Sequence, residues 1–296
     1  MKTAAFNALN LSLKPYRNKV FEAIEVLDDG HQIQLSINIT EKNIVFDFSG
    51  TDGVHPYNLN ANISIVYSAI IYVLRLLCGV SIPLNEGLMK EVDIVLPQSF
   101  LNPIFSEDST ICPAVVGGNT EISQRLVDTL IKALGLAACS QGTMNNFLFG
   151  NEYFGYYETI GGGCGAVEGY HGRSAIHQHM TNTKITDPEE LEFHYPVRLH
   201  RFSIRPNSGG KGKWNGGDGI IREIEFLEKV EMTIISQHRQ QSPYGLLGGK
   251  PGKKGIQYLI RKNGKKETLK GIDEKVVEQG DRIVIKTPGG GAYGSI

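Results

Sequence analysis

The 296 residues, 41% hydrophobic and 21% charged, have the composition of an ordinary soluble globular protein, with room for one large or two medium domains. A net charge of -1 argues against nucleic acid or an anionic membrane as a bulk partner. Glycine is the outlier: 27 of the 35 glycines fall after residue 140, so the first half should be regular and the second turn-rich and strand-rich.

Residues 3–13 read as a short helix ended by Lys14-Pro15. Val20–Leu27, Gln32–Thr40 and Asn43–Phe48 read as strands, with Ile33, Leu35, Ile37 and Ile39 alternating with polar residues. Turn residues at Asp28-Asp29-Gly30 and Glu41-Lys42-Asn43 make an antiparallel meander the simplest account. Asn62 is placed to cap a helix over about 63–78, apolar on nearly all sides and expected between layers. Its 63–78 stretch contains Arg75 and is too short for a comfortable membrane span. Glu91–Leu96 is a further strand. A second helix, about 120–134, follows Gly117-Gly118-Asn119, which offers a seat for an anionic group. Glu121, Gln124, Arg125 and Asp128 form the polar face of that helix, which reads as solvated.

The stretch Gln141–Thr183 has a different inventory. QGTMNNFLFG, YYETIGGGCGA and HQHMTNT bring amides, hydroxyls, adjacent glycines and two histidines close together, more than a plain core strand needs. Glycines 161, 162, 163 and 165 permit positive φ or a close approach to a ligand. His177 and His179 bracket one residue, so an extended chain points both rings to one face. Cys164 lies in the glycine loop with no base fixed beside it, and reads as a small buried hydrophobe.

Beyond this stretch, Val197–Arg205, Ile220–Leu227, Glu231–Gln237 and the run after Asp281 read as strands. SGGKGKWNGGDG (208–219) reads as a long turn, and lysines in 211–213 and 250–254 suit either phosphate contact or surface solubility. The final GGGAYG follows a strand directly, as a loop nearing a site or interface would. The four cysteines lack a C-x-x-C pair and fit a reducing cytoplasm, and the N-terminus makes a poor signal peptide. The fold class is therefore α+β. Residues 1–140 hold the meander with two packed helices, and 141–296 a β-rich part carrying the glycine loops, with one continuous domain as the alternative.

Seven motifs in order, GGNTEISQR (117–125), QGTMNN (141–146), YYETIGGGCGA (156–166), HQHMTNT (177–183), YPVR (195–198), SGGKGKWNGGDGIIRE (208–223) and TPGGGAYG (287–294), resemble the hydantoinase B/oxoprolinase family. That family comprises B-type subunits of ATP-dependent N-methylhydantoinases, the C-terminal part of 5-oxoprolinases, and subunits of acetone and acetophenone carboxylases. Ala292 departs from the family's usual terminal glycine run. The family's N-terminal half, where the metal-binding His and Asp residues of the carboxylase relatives lie, has no counterpart in these residues, so no metal ligand is carried over. The resemblance implies a cytoplasmic subunit of an ATP-dependent hydrolase opening a hydantoin or 5-oxoproline ring. ATP is expected on an A-type partner subunit, and a separate N-terminal B-type chain is a further expected partner. A ketone carboxylase subunit, for which a divalent metal is needed, and a non-catalytic assembly subunit are the alternatives. Within that reading, His177 or His179 transfers a proton, with Glu158 as a second acid/base candidate. Thr143, Asn145, Asn146, Thr181 and Asn182 hydrogen-bond the polar ring edge. The backbone N–H groups of Gly161, Gly162 and Gly163 stabilise an oxyanion or phosphate.

Overall fold

The computed structural model of the chain describes residues 1–79, 82–181 and 183–296. They divide into two compact units, one of residues 1–26 and 30–135, the other of residues 27–29 and 136–296.

In the first unit, α1 (Lys2–Leu13) buries Ala5, Leu9 and Leu13, spaced four apart on one helical face. β1 (Lys19–Val26), β2 (Gln32–Ile39) and β3 (Ile44–Asp47) form the expected meander. Along β2 the four aliphatic residues are buried while Gln32, Gln34 and Asn38 face out, the period of a half-covered strand. α2 (Ile63–Cys78) then crosses over to deliver β4 (Val92–Val95) parallel to β3. The Asn62 side chain accepts the Ile65 N–H at 3.3 Å, and Gly79 stops the helix at φ +61°.

Two expectations fail in this unit. α2 is not enclosed on all sides: Val66, Ala69, Ile70 and Val73 face inward, but Ile63, Tyr67 and Leu76 are exposed. The polar face of α3 (Ser123–Ala133) is not solvated: Glu121, Gln124, Arg125 and Asp128 are all buried. α3 lies against the meander, where Arg125 meets Glu25 of β1 at 2.5 Å and the Val26 carbonyl at 2.7 Å. Lys132 adds a bond to Glu25 at 3.1 Å, so the two basic residues of this helix share one carboxylate of the sheet. A single π turn, Gly118–Ile122, precedes α3. A Cβ on Gly117 would come within 2.7 Å of the Asn58 carbonyl oxygen, and one on Gly118 within 2.5 Å of that of Asn60. The chain itself packs against these glycines, where an anion was expected.

In the second unit, β5 (Asn146–Gly150) and β6 (Gly155–Thr159) precede α4 (Pro188–His194). β7 (Val197–Arg205), β8 (Gly219–Phe226), β9 (Val230–Ile235), β10 (Ile256–Ile260), β11 (Lys266–Leu269), β12 (Ile272–Val277) and β13 (Arg282–Lys286) follow. They form two antiparallel sheets, in the orders β11-β10-β13-β8-β7 and β12-β9-β5-β6. One hydrophobic core draws Phe147, Phe149 and Met232 from the second sheet and Ile224, Phe226 and Ile283 from the first. The class is α+β, as the sequence predicts. The stretch read as too polar for a core strand nevertheless contains β5 and β6. Among the described residues, no helix is long and apolar enough to cross a membrane.

Candidate functional site

The glycine motifs converge on one another. Gly163 N–H donates to the Pro288 carbonyl at 3.0 Å, Gly290 N–H to Gly217 at 2.9 Å, and Gly217 N–H to Cys164 at 2.9 Å. Gly291 N–H donates to Cys139 at 2.8 Å, and Cys139 N–H to Tyr244 at 3.0 Å. Loop segments about 138–141, 161–166, 208–218, 244–252 and 288–293 thus form a bundle tied backbone to backbone. A Cβ on Gly163 would overlap the carbonyl oxygen of Gly217 and the amide nitrogen of Gly290. Gly161, Gly162 and Gly163 are not in the left-handed region, so close approach is what requires glycine here. The chain they approach is their own. The N–H groups of Gly162 and Gly163 are taken by the carbonyls of Ile176 and Pro288, so two of the three amides expected to face an oxyanion are engaged within the chain. The final TPGGGAY (287–293) is likewise buried within this bundle.

Most of the polar candidates are tied into the fold beside it. Thr143 Oγ1 accepts the N–H groups of Asn145 at 3.0 Å and Gln237 at 3.1 Å. Asn145, held at φ +48°, donates to Gln141 Oε1 at 2.8 Å and accepts from Arg239 at 2.8 Å. Asn146 donates to the Ile235 carbonyl at 2.8 Å and accepts the Tyr157 hydroxyl at 2.7 Å. Thr181 N–H reaches the Gln178 carbonyl at 3.4 Å, and Asn182 lies outside the described residues.

Glu158 is buried on β6 and clasped by Arg222, with Nε to Oε1 at 2.7 Å and Nη2 to Oε2 at 2.9 Å. Tyr156 donates to the same carboxylate at 2.8 Å. Burial first, then the Glu158 charge, pushes the Tyr156 phenol well above its ordinary range, so it stays protonated as that donor. A carboxylate with both oxygens engaged is a poor acid/base group, and the Glu158 expectation gives way to a structural ion pair.

His177 keeps its standing. Among the described residues its Nδ1 is buried without a hydrogen-bond partner, and burial lowers its pKa from 6.5, so the ring is neutral at pH 7. The chain around it is not extended: His179 sits at φ +57°, so the two rings do not share a face by strand alternation. Ile176 pairs with Gly162 in both directions, at 3.0 and 3.1 Å, and Gln178 Nε2 donates to the Gly163 carbonyl at 3.0 Å. These bonds pin the histidine turn onto the glycine bundle.

Gln141 is the residue that the sequence reading passed over. It is fully buried, its side chain fills the space where a Cβ of residue 162 would stand, and its Nε2 has no partner among the described residues. Gln141 thus abuts Gly162 through its side chain, with Oε1 nearest, and His177 abuts Gly161 through its main-chain nitrogen. Arg239, which orders the Gln141 side, was missed as well: a single arginine in HRQQ carries no periodicity to mark it.

Other features do not complete a centre. Cys139 Sγ lies 3.6 Å from His238 Nε2, while His238 Nδ1 faces the Gln241 carbonyl at 2.9 Å, and all four cysteines are free thiols. Among the described residues, neither unit by itself gathers three His, Cys, Asp or Glu ligands at metal-binding distances. A surface groove of about 450 Å³ over β5, β6 and β9 is lined by Leu148, Tyr157, Glu231 and Thr233, and by neither Gln141 nor His177.

The comparisons agree with this architecture. 5-Oxoprolinase 1 of Arabidopsis thaliana is 48% identical over 277 residues, which are 93% of this chain and 21% of that protein. The crystal structure of the ATP-dependent caprolactamase from Pseudomonas jessenii superposes with a TM-score of 0.83 at 24% identity, covering 99% of this chain and 55% of that one. The nucleotide-free structure of an acetone carboxylase gives a TM-score of 0.81 at 16% identity, covering 98% and 47%. At these identities the two solved structures establish a shared fold. The sequence matches the Hydantoinase B/oxoprolinase family over residues 1–296. With its whole length matched, and a relative of that kind nearly half identical, the chain belongs to the hydantoinase B/oxoprolinase family.

Proposed function

We propose that this chain contributes to ATP-dependent opening of a cyclic amide such as a hydantoin or 5-oxoproline, in the cytoplasm and together with an ATP-binding A-type subunit. A B-type partner related to the remaining length of the relatives completes the assembly. The likeness to a 5-oxoprolinase and to the fold of a caprolactamase supports the substrate class. The observation that carries the reading is the buried, neutral imidazole of His177, whose main chain abuts Gly161. A ring amide resists hydrolysis because resonance stabilises it, and phosphorylation of its carbonyl oxygen by ATP makes the carbon a better target for water. A neutral imidazole can accept the proton released by that water. Thr143, Asn145 and Asn146 order the wall, Glu158 holds the sheet, and no metal ligand set is assigned to this chain.

The test is reconstitution with the A-type subunit and the complementary B-type chain, following ATP hydrolysis against hydantoins, 5-oxoproline, and ketones with bicarbonate. Lactam-dependent turnover that requires this chain is expected. Turnover with ketone and bicarbonate alone would replace the hydrolase by a carboxylase, and turnover unchanged on omitting the chain would leave it an assembly subunit. In the active complex His177→Ala should lower turnover roughly 10²- to 10⁴-fold, the usual range for a lost acid/base group. The pH profile follows from the same geometry. Burial disfavours the imidazolium, so the acid limb should lie below pH 6.5 and rate should hold from neutrality down to that point. For stability the sign is the same: folding weakens as pH falls below 6.5, where the unfolded chain takes up the proton first.

A further inference from the structure

A series of side-chain hydrogen bonds in the second unit begins at a buried cation and ends at a donor with no acceptor. Arg239 donates through Nε to Gln257 Oε1 at 2.7 Å, through Nη1 to the Gln237 carbonyl at 2.7 Å, and through Nη2 to Asn145 Oδ1 at 2.8 Å. Asn145 Nδ2 donates to Gln141 Oε1 at 2.8 Å and to the Ile160 carbonyl at 3.0 Å. Gln141 Nε2 is buried and unpartnered among the described residues.

The arginine fixes the direction of the series. A guanidinium only donates, so the Asn145 atom facing it is the carbonyl oxygen. The other end of that amide is then nitrogen, which its contact with the Ile160 carbonyl also demands. Gln141 accordingly presents oxygen to Asn145 and nitrogen outward. The usual ambiguity of amide orientation does not arise here. Each bond withdraws electron density toward the cation, so the final N–H is a stronger donor than an isolated amide. A polarised donor in a dry wall suits an oxygen that gains negative charge.

We propose that Gln141 Nε2 is the hydrogen-bond donor to the carbonyl oxygen of the bound substrate, with Asn145 and Arg239 as the residues that position and polarise it. The lactam as its natural substrate rests on the function proposed above; the donor itself would serve any carbonyl compound. Gln141 packs its side chain against Gly162 and His177 its main chain against Gly161, so Gln141 Nε2 and His177 Nδ1 belong to residues of one wall. Both atoms are closed to solvent in the free chain, so a ligand reaches them only by displacing part of that wall.

The experiment titrates the ¹⁵N-labelled chain with 5-oxoproline, hydantoin and acetone, following the Gln141 side-chain amide resonance and the dissociation constant. Gln141→Leu and Gln141→Glu are measured beside it. The glutamate variant keeps the acceptor for Asn145 and replaces only the outer donor, which guards against a folding defect in the first. The expected result is a shift of the amide resonance with a lactam, and binding at least tenfold weaker in both variants while each keeps the spectrum of a folded chain. Wild-type affinity in a folded variant would overturn the Gln141 assignment and leave the lactam reading standing. A shift with acetone alone would uphold the donor and remove the lactam reading. No shift with any carbonyl probe would overturn the assignment.

Discussion

Gly163→Ala should cost the second unit about 3 kcal/mol or more, the upper end of what overpacking removes from a core. The added methyl meets the Gly217 carbonyl and the Gly290 amide, two backbone groups on separate segments. Side chains can rotate away from an intruding methyl, but hydrogen-bonded main chain can yield only by breaking its bonds. With total stabilities of roughly 5–15 kcal/mol, such a loss is a large fraction of what holds a domain together. Gly155→Ala is the matching control: it lies on β6, and its added Cβ would meet nothing within 4 Å. Urea unfolding of the two variants should separate them clearly, and equal midpoints would show that the bundle tolerates side chains.

Glu158→Ala should destabilise by about 3–5 kcal/mol, because it strands the Arg222 guanidinium in the core without its counter-charge. Arg222 and Glu158 are exposed by only 1% and 3% of their side-chain surfaces, so water cannot take the lost partner's place. The double variant Glu158→Leu, Arg222→Met should recover most of the loss, since an apolar pair of similar bulk often replaces a buried ion pair without penalty. It also separates structure from chemistry. A structural carboxylate predicts that the folded double variant keeps substrate-dependent turnover in the reconstituted complex. A folded but inactive double variant would return Glu158 to the acid/base role first expected of it.

What the sequence discloses depends on how local the signal is. Alternation in Gln32–Ile39 and the Asn62 cap of α2 are local patterns, and both elements form within a residue of where they are read. The buried face of α3 is different. Arg125 finds Glu25 a hundred positions away, and nothing near either residue announces the pairing, so a solvated face was the natural expectation. Asn146 and Glu158 suggested a ligand for the same reason. Polar residues in a strand look functional until the Ile235 carbonyl and Arg222 are found to satisfy them. The glycine clusters were conspicuous, but composition could not say that their neighbours would be one another. The spacing argument for His177 and His179 assumed an extended chain, which the φ of +57° at His179 removes. Gln141 escaped notice because its significance lies in one unmatched atom at the end of a network, a property no pattern of residue types encodes.

The glycine bundle also constrains the order in which the protein can be made. Gly291 bonds to Cys139, and Gly290 to Gly217, so residues 288–293 close contacts with chain emitted from the ribosome up to about 150 positions earlier. Until those last segments emerge, the amides and carbonyls of 138–141, 161–166 and 208–218 have lost their partners while the apolar strands between them are already exposed. Long-range closure of this kind slows folding and prolongs the life of aggregation-prone intermediates. A chain cut before residue 287 should therefore leave the second unit sensitive to protease, whereas residues 1–296 together resist it.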